Sequence, residues 1–257
     1  MKQRMTLKRD QIYCGNLLLV NAQHPLQSPE GNDLLPVDLR FPEILLRREA
    51  ANMLQQIFRK IDAGDEIIPV SGYRSGEEQT AIYENSLREN GKEFTAKYVA
   101  LPDCSEHQTG LAIDLGLNQE NLDWIRPAFP DEGICARFRE AAAGYGFIER
   151  YPQGKEAVTG ISHEPWHFRY VGYPHARIME ERGLCLEEYM AFLETCREGC
   201  GLVYWQADGM EAEIYYVSAE DDKTQLILPE RAVYQISGNN VNGFIVTVYH
   251  SSLEGFR

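Results

Sequence analysis

The fold and chemistry of this chain are indicated most strongly by one stretch, SEHQTGLAID at residues 105–114. A second stretch, EPWH at residues 164–167, follows later in the chain. Together they supply two imidazoles, one carboxylate at ligand spacing and a further glutamate. Two histidines and one carboxylate form the ligand set of a catalytic zinc site that keeps one position open. The further glutamate can take a proton from water at such a site, so the two stretches predict a hydrolytic zinc centre.

The spacing within these stretches predicts how the side chains are arranged. His107 and Asp114 are seven positions apart, so one straight strand would point them to opposite faces. Gly110 between them gives the backbone freedom to bend, which predicts His107 in a loop and Asp114 on the following strand. Pro165 favours an extended Glu164, oriented differently from His167, as suits a base beside the metal. Spacing alone leaves open the alternative that these are ordinary polar residues.

Composition narrows the classes of partner. The net charge of −14, from 39 acidic and 25 basic residues, argues against general nucleic-acid binding and against docking on an anionic membrane. No apolar run approaches the roughly 18 residues of a spanning helix or the core of a signal peptide. Six scattered cysteines with no CxxC pair are expected to be reduced. These features predict a cytoplasmic protein.

Periodicity gives a coarse secondary structure. Residues 1–39 are expected to be irregular, because prolines interrupt them. The strand predicted at residues 164–171 places Trp166, Phe168 and Tyr170 on one face and His167 and Arg169 on the other. The remaining predictions are strands at 66–73 and 109–115 and helices at 38–63, 76–90, 133–143, 174–182 and 186–197.

The composition shifts near Gly199, which predicts two domains, residues 1–199 and residues 200–257. The second has alternating apolar residues, with hairpin turns at Asp208-Gly209 and around Gly238–Asn240. We therefore expect a small antiparallel β appendage. It could cover a cleft, mediate oligomer formation or protect the core, and the sequence does not choose among these.

Three motifs carry a resemblance to a known family. SxHxxGxAxD, the preceding SGYRS at residues 71–75 and ExxH on a WH strand resemble the zinc D-alanyl-D-alanine metallopeptidases. The likeness is greatest to the vancomycin-resistance D,D-peptidases of the VanY and VanXY type, over approximately residues 10–185. It implies an α+β fold with a mostly antiparallel central sheet, flanked by helices and holding a zinc cleft, plus the small C-terminal β appendage.

The resemblance also implies roles for individual residues. The zinc ligands would be His107, Asp114 and His167, with Glu164 as catalytic base. Arg74 would stabilise the oxyanion on the scissile carbonyl, since a guanidinium is permanently charged and donates in a fixed fork. Substrate contacts are expected from Ser105, which would hold the terminal carboxylate, and from Gln79, Tyr98 and Ser71.

The chain departs from the family pattern at Asp103, where many relatives have glycine. The added carboxylate could disfavour an anionic substrate. The implied reaction is hydrolysis of the D-Ala-D-Ala dipeptide and removal of the C-terminal D-Ala of UDP-muramyl pentapeptide, which gives vancomycin resistance. The partners are thus small peptide substrates. Two alternatives are a cell-wall L,D-type endopeptidase of the same zinc fold and a non-catalytic zinc-stabilised binding module.

Overall fold

The structure is a computed structural model that describes residues 2–27, 33–197, 203–207, 210–230 and 232–251. It contains two compact units, Val20–Leu186 and the combination of Met1–Leu19 with Glu187–Arg257. None of the helices in the described part of the chain combines the length and the hydrophobicity that a membrane span requires. The strands are β1 Lys2–Lys8, β2 Leu34–Asp38, β3 Phe41–Arg47, β4 Ile67–Ser71, β5 Ala112–Leu117, β6 Phe147–Glu149, β7 His167–Tyr170, β8 Val203–Ala207, β9 Met210–Ser218, β10 Lys223–Pro229, β11 Val233–Gly238 and β12 Gly243–Ser251. The α-helices are α1 Arg48–Ile61, α2 Gly76–Glu89, α3 Gly91–Tyr98, α4 Gly133–Ala142, α5 Glu156–Thr159, α6 His175–Arg182 and α7 Leu186–Thr195.

The larger unit is built on a four-stranded antiparallel sheet in the order β4-β5-β7-β6. Alternate residues of β5 and β7 point into an apolar core shared with α1 and α4, because successive strand side chains face opposite sides. That core includes Leu54, Ile57, Ile113, Leu115, Phe138 and Phe168. The predicted α+β fold with a mostly antiparallel sheet is confirmed, and the opposite face of the sheet is left for polar residues.

The N-terminal part of the chain differs from the prediction. The helix predicted from residue 38 begins at Arg48, because Phe41–Arg47 forms β3 and pairs with β2. Ile44 and Leu46 are buried alternately along β3, so strand pairing outweighs the helical periodicity. The expectation that residues 1–39 are irregular is also wrong, because β1 pairs with β10 near the other end of the chain. Local sequence carries no signal for that pairing.

The smaller unit contains the β1-β10 pair and an antiparallel sheet in the order β11-β12-β9-β8. β11 and β12 form the hairpin predicted around Gly238–Asn240. β8 and β9 also pair, but the predicted turn at Asp208-Gly209 lies outside the described residues. The division at residues 199 and 200 stays a prediction, since residues 198–202 are likewise not described.

Candidate active site

The site begins with three residues that face each other across three strands. Asp114 of β5 lies opposite both Ser71 of β4 and His167 of β7. Directly opposed residues in a sheet have side chains about 5 Å apart, so this register brings the carboxylate and the imidazole together. The register between β4 and β5 shifts between Pro69 and Ser71, which sets Ser71 rather than Val70 opposite Asp114.

His107 lies on a 3-10 turn, Glu106–Thr109, that precedes β5. Gly110 ends the turn with φ at 69°, a left-handed conformation that favours glycine, so the expected bend is confirmed. Nδ1 of His107 lies 2.7 Å from the carbonyl oxygen of Gly72, which can only accept, so Nδ1 donates and Nε2 keeps its lone pair. A side chain at Gly72 would meet the carbonyl oxygen of Leu45 at 2.4 Å, so glycine is required there.

The three predicted ligands converge on one point. One ligand atom from each of His107, Asp114 and His167 lies within 4.8 Å of the others. Nε2 of His107 is 3.3 Å from Oδ2 of Asp114, and Nδ1 of His167 is 2.9 Å from Oδ1. Separations near 3.3 Å are what two ligands about 2 Å from a tetrahedral zinc require. The donor set and its burial therefore fit a zinc ion.

The electrostatics of the triad also suit a cation. Burial lowers the pKa of His107 to about 4, helped by the nearby Arg74, so its imidazole is neutral and able to ligate. Burial alone would lower the pKa of His167, but the carboxylates of Asp114 and Glu106 outweigh it and raise that pKa to about 9. The pKa of Asp114 is held well below its usual range by the two imidazoles, against the opposing effect of burial. Without a metal, His167 thus supplies the positive charge that the carboxylates attract.

Glu164 lies beside the triad on a turn rather than on the predicted strand. The N–H of His167 donates to the carbonyl of Glu164 at 3.2 Å, which closes a tight turn with Pro165 at its second position. The turn brings Oε2 of Glu164 to 3.8 Å from Nδ1 of His167. Burial raises the pKa of Glu164 to about 8, with His167 opposing the shift. The carboxyl group is thus close to the triad without duplicating a ligand.

A cavity of about 310 Å³ brings together all nine residues singled out in the sequence. Its volume is in the range of small-molecule sites, and apolar residues such as Trp124, Ile125 and Ile161 complete its wall. The predicted residues that line it are Ser71, Arg74, Gln79, Tyr98, Ser105, His107, Asp114, Glu164 and His167.

Two of these side chains present unused polar atoms. Nε of Arg74 is buried without a hydrogen-bond partner in the described chain, and Asp114 and Glu164 are the leading attractions on its guanidinium. The amide of Gln79 donates from Nε2 to the carbonyl of Ala100 at 2.8 Å, while Oε1 is buried and has no such partner. Both atoms can therefore bind a ligand without breaking an existing hydrogen bond. Ser75 starts α2 with a capping box and so fixes the end of the SGYRS segment.

Four residues of the site were missed in the sequence. Glu106 is fully buried and contacts the equally buried Arg150 and Arg169, while Tyr151 lines the cavity and its ring lies 5.0 Å from that of His167. Arg169 had a signal, because it shares a strand face with His167. Arg150 and Tyr151 had none, since they reach the site through tertiary packing.

Asp103 does not add charge to the cavity. It is exposed, lies outside the residues that line the cavity, and has φ at 63°, a conformation typical of glycine that aspartate tolerates. Its N–H donates to the side chain of Gln108 at 3.0 Å. The departure from the family glycine thus preserves the backbone shape.

Comparison with known proteins identifies relatives. Residues 43–173 match the family model described as VanY, D-alanyl-D-alanine carboxypeptidase. The chain is 43% identical, over 71% of its length and 97% of the relative, to the bifunctional D-Ala-D-Ala dipeptidase and D-Ala-D-Ala carboxypeptidase VanXYC of Enterococcus gallinarum.

Solved structures agree with this assignment. The vancomycin-resistance D,D-dipeptidase VanXYg, in complex with a D-Ala-D-Ala phosphinate analog, is 59% identical, with a TM-score of 0.95 over 97% of this chain and 100% of that one. A point mutant of the vancomycin-resistance D,D-pentapeptidase VanY in complex with Zn(II) is 31% identical, with a TM-score of 0.56 over 68% of this chain and 98% of that one. The family model spans every residue of the site described above. The chain therefore belongs to the VanY family of D-alanyl-D-alanine carboxypeptidases.

Proposed function

We propose that this chain is a zinc-dependent D,D-dipeptidase and D,D-carboxypeptidase. It hydrolyses the D-Ala-D-Ala dipeptide and removes the C-terminal D-Ala of peptidoglycan precursor pentapeptides, which deprives vancomycin of its target. The observation that carries the proposal is the convergence of a three-ligand metal site, a buried glutamate and a partly buried arginine on one cavity. The bifunctional relative, matched over 97% of its length, supports both substrates.

The metal site would be formed by His107, Asp114 and His167. Zinc bound there would polarise the scissile carbonyl and make water more acidic. Three protein ligands rather than four are available in the described cluster, which leaves a position for substrate or water. This open set argues against the non-catalytic binding module, whose structural zinc would have a closed ligand set.

Glu164 and Arg74 would perform the proton transfer and the charge stabilisation. Glu164 accepts a proton from the attacking water as the new C–O bond forms, and passes that proton to the nitrogen of the leaving D-alanine as the C–N bond then breaks. A dication bound beside Glu164 would lower its raised pKa and so favour the carboxylate form needed as base. Arg74 donates to the carbonyl oxygen as negative charge develops there.

The remaining residues would hold the substrate. Ser105, which directly precedes the 3-10 turn, binds the terminal carboxylate. Oε1 of Gln79 accepts a hydrogen bond from a substrate N–H. Tyr98 and Ser71 line the same cavity and complete the contacts. An L,D-type endopeptidase would need the cavity to accept internal bonds, whereas the bound analog of the 59% identical relative is a D-Ala-D-Ala mimic.

The deciding experiment is D-alanine release by zinc-loaded protein from D-Ala-D-Ala and, separately, from UDP-muramyl pentapeptide. Release from both substrates, abolished by Glu164→Ala and retained in Glu149→Gln, is the expected result. Failure with both, despite bound zinc, would refute the specificity and direct attention to internal wall-peptide bonds.

Two further predictions concern the protein in the cell. We expect it to act in the cytoplasm, where its two proposed substrates are made, and fractionation of the source cells would test this. Residues 200–257 are a candidate for oligomer formation. Sedimentation of the full chain beside one truncated after residue 199 would show whether they contribute.

A further inference from the structure

Glu106 is a charged residue of the cavity for which the mechanism above has no use. Its side chain is completely buried, as are those of Arg150 and Arg169. Nε of Arg150 and a terminal nitrogen of Arg169 both contact the same oxygen, Oε1, at 2.8 and 2.7 Å. A buried ion-pair network is weak evidence for stability, because desolvation offsets the attraction. Its presence under a metal site therefore calls for another explanation.

The second oxygen of Glu106 faces a metal ligand. Oε2 lies 3.8 Å from Nε2 of His167, and neither atom has a hydrogen-bond partner among the described residues. Nδ1 of His167 points the other way, to Asp114 at 2.9 Å, so Nδ1 is the nitrogen directed at the metal position. A neutral imidazole that ligates through Nδ1 carries its proton on Nε2, and that proton needs an acceptor.

The arginines explain why the carboxylate can serve as this acceptor. Both guanidiniums occupy Oε1, which fixes the plane of the carboxylate and leaves Oε2 directed at His167. Arg169 lies two residues after His167 on β7, on the same face, so one strand carries both the ligand and the anchor of its partner. A contraction of about 1 Å would turn the 3.8 Å contact into a hydrogen bond.

We propose that Glu106 is a positioning residue, whose Oε2 accepts a hydrogen bond from Nε2 of His167 and thereby directs Nδ1 at the metal, while Arg150 and Arg169 hold the carboxylate in place. The inference rests on the metal site of the proposed function. Carboxylate partners of ligating histidines orient the ring and strengthen the ligand, and their loss costs about 10–100-fold in metal affinity.

The test compares Glu106→Gln with Glu149→Gln. Glu149 is a matched control, because it also contacts a histidine, His163, at 3.0 Å and an arginine, Arg139, at 3.1 Å. Zinc affinity is measured by chelator competition, the Co(II)-substituted proteins are compared by visible absorption, and circular dichroism of the metal-free proteins reports folding. We expect Glu106→Gln to lower zinc affinity about 10–100-fold and to alter the cobalt spectrum, with Glu149→Gln unchanged.

A folded Glu106→Gln protein with wild-type zinc affinity and cobalt spectrum overturns the inference alone. A wild-type protein that binds no zinc overturns the proposed function and this inference with it. Wild-type zinc-loaded protein labelled with ¹⁵N-histidine gives a measurement that does not depend on the folding of the variant. A slowly exchanging proton on Nε2 of His167 is expected, and a proton on Nδ1 or rapid exchange at Nε2 contradicts the proposal.

Discussion

Two histidines of one short segment, His163 and His167, have similar partners and different surroundings. Each faces a glutamate that also binds arginine. The side chains of His163 and Glu149 are 36% and 22% exposed, and Nε2 of His163 lies at hydrogen-bond distance, 3.0 Å, from Oε1 of Glu149. The side chains of His167 and Glu106 are only 6% and 0% exposed, and Nε2 of His167 lies 3.8 Å from Oε2 of Glu106, beyond hydrogen-bond distance. The proposed metal site is thus distinguished by burial and by polar atoms without hydrogen-bond partners, and not by the types of its residues.

Cavity size does not make this distinction. Glu149 and Arg139 line a cavity of about 400 Å³, larger than the 310 Å³ cavity that holds the triad. The guanidinium of Arg139 donates hydrogen bonds to Glu149 and to the carbonyl oxygens of Phe129, Pro130 and Pro165, and these bonds stabilise the surrounding backbone. The smaller cavity keeps polar atoms of Arg74 and Gln79 unused, and such atoms are what a ligand can bind.

Substitution of His167, the proposed metal ligand, should reduce activity far more than substitution of His163. His167→Ala removes one of three ligands and should reduce D-Ala-D-Ala hydrolysis by about 10³-fold or more, as loss of several kcal/mol of metal catalysis requires. His163→Ala should retain activity within a few-fold. Chelation of wild-type protein should reproduce the first result and added zinc should reverse it. Equal losses in both variants would contradict the assignment.

The two glutamates should differ almost as strongly. Glu164→Gln removes the base but no ligand, so kcat should fall about 10²–10⁴-fold while zinc affinity stays near that of wild type. Glu149→Gln should change neither quantity. Steady-state kinetics together with chelator competition separate the two effects. A Glu164→Gln protein that loses its zinc would show that Glu164 acts as a ligand instead.

The two arginines should affect different measurements. Arg74→Lys keeps the charge but removes the fork of donors, so kcat should fall about 10²-fold with the melting temperature unchanged. Arg139→Lys loses hydrogen bonds to three backbone carbonyls and should lower the melting temperature with kcat retained. Steady-state kinetics and thermal unfolding of both variants check this. A lower melting temperature with unchanged kcat in Arg74→Lys, or a large loss of kcat in Arg139→Lys, would refute it.

A smaller effect is expected at Gln79. Gln79→Ala deletes one acceptor for a substrate N–H, and a hydrogen bond contributes about 1 kcal/mol, so KM should rise about fivefold with kcat little changed. The dipeptide and the pentapeptide precursor should be measured separately. An unchanged KM for both substrates would remove Gln79 from the binding site.

The last prediction concerns stability rather than catalysis, at His175, a buried histidine that belongs neither to the metal triad nor to the His163–Glu149 pair. Burial lowers the pKa of His175 to about 3, so the folded state keeps it neutral while the unfolded chain takes up a proton below roughly pH 6.5. Its contribution to stability is therefore complete above that pH and decreases by about 1.4 kcal/mol per pH unit as the pH falls toward 3.

His175→Gln should remove this part of the slope. Urea unfolding of the metal-free proteins at pH 7 and pH 5 gives the slopes. A wild-type slope retained in His175→Gln would show that other groups account for the acid sensitivity.

Much of the site could be predicted from the sequence, because its residues lie in short motifs. His107, Asp114 and His167 have side-chain types and spacings that suit zinc, and all line one cavity with Glu164 and Arg74. The strand alternation that separates Phe168 from His167 was also predicted, since a period of two is a local property. The start of α1 was not, because β3 forms only by pairing with β2.

The sequence by itself determined the α+β pattern and the glycine bend at Gly110, and it supplied the candidate ligands and the candidate base, all of which lie in short motifs that depend on neighbours along the chain. Only the tertiary structure decided that Gly72 orients His107, that Arg150 reaches Glu106 and that β1 pairs with β10. The physical reason is that these partners are far apart in sequence. Contacts between such residues depend on how strands pair and pack, and local periodicity in the sequence does not indicate how they do so.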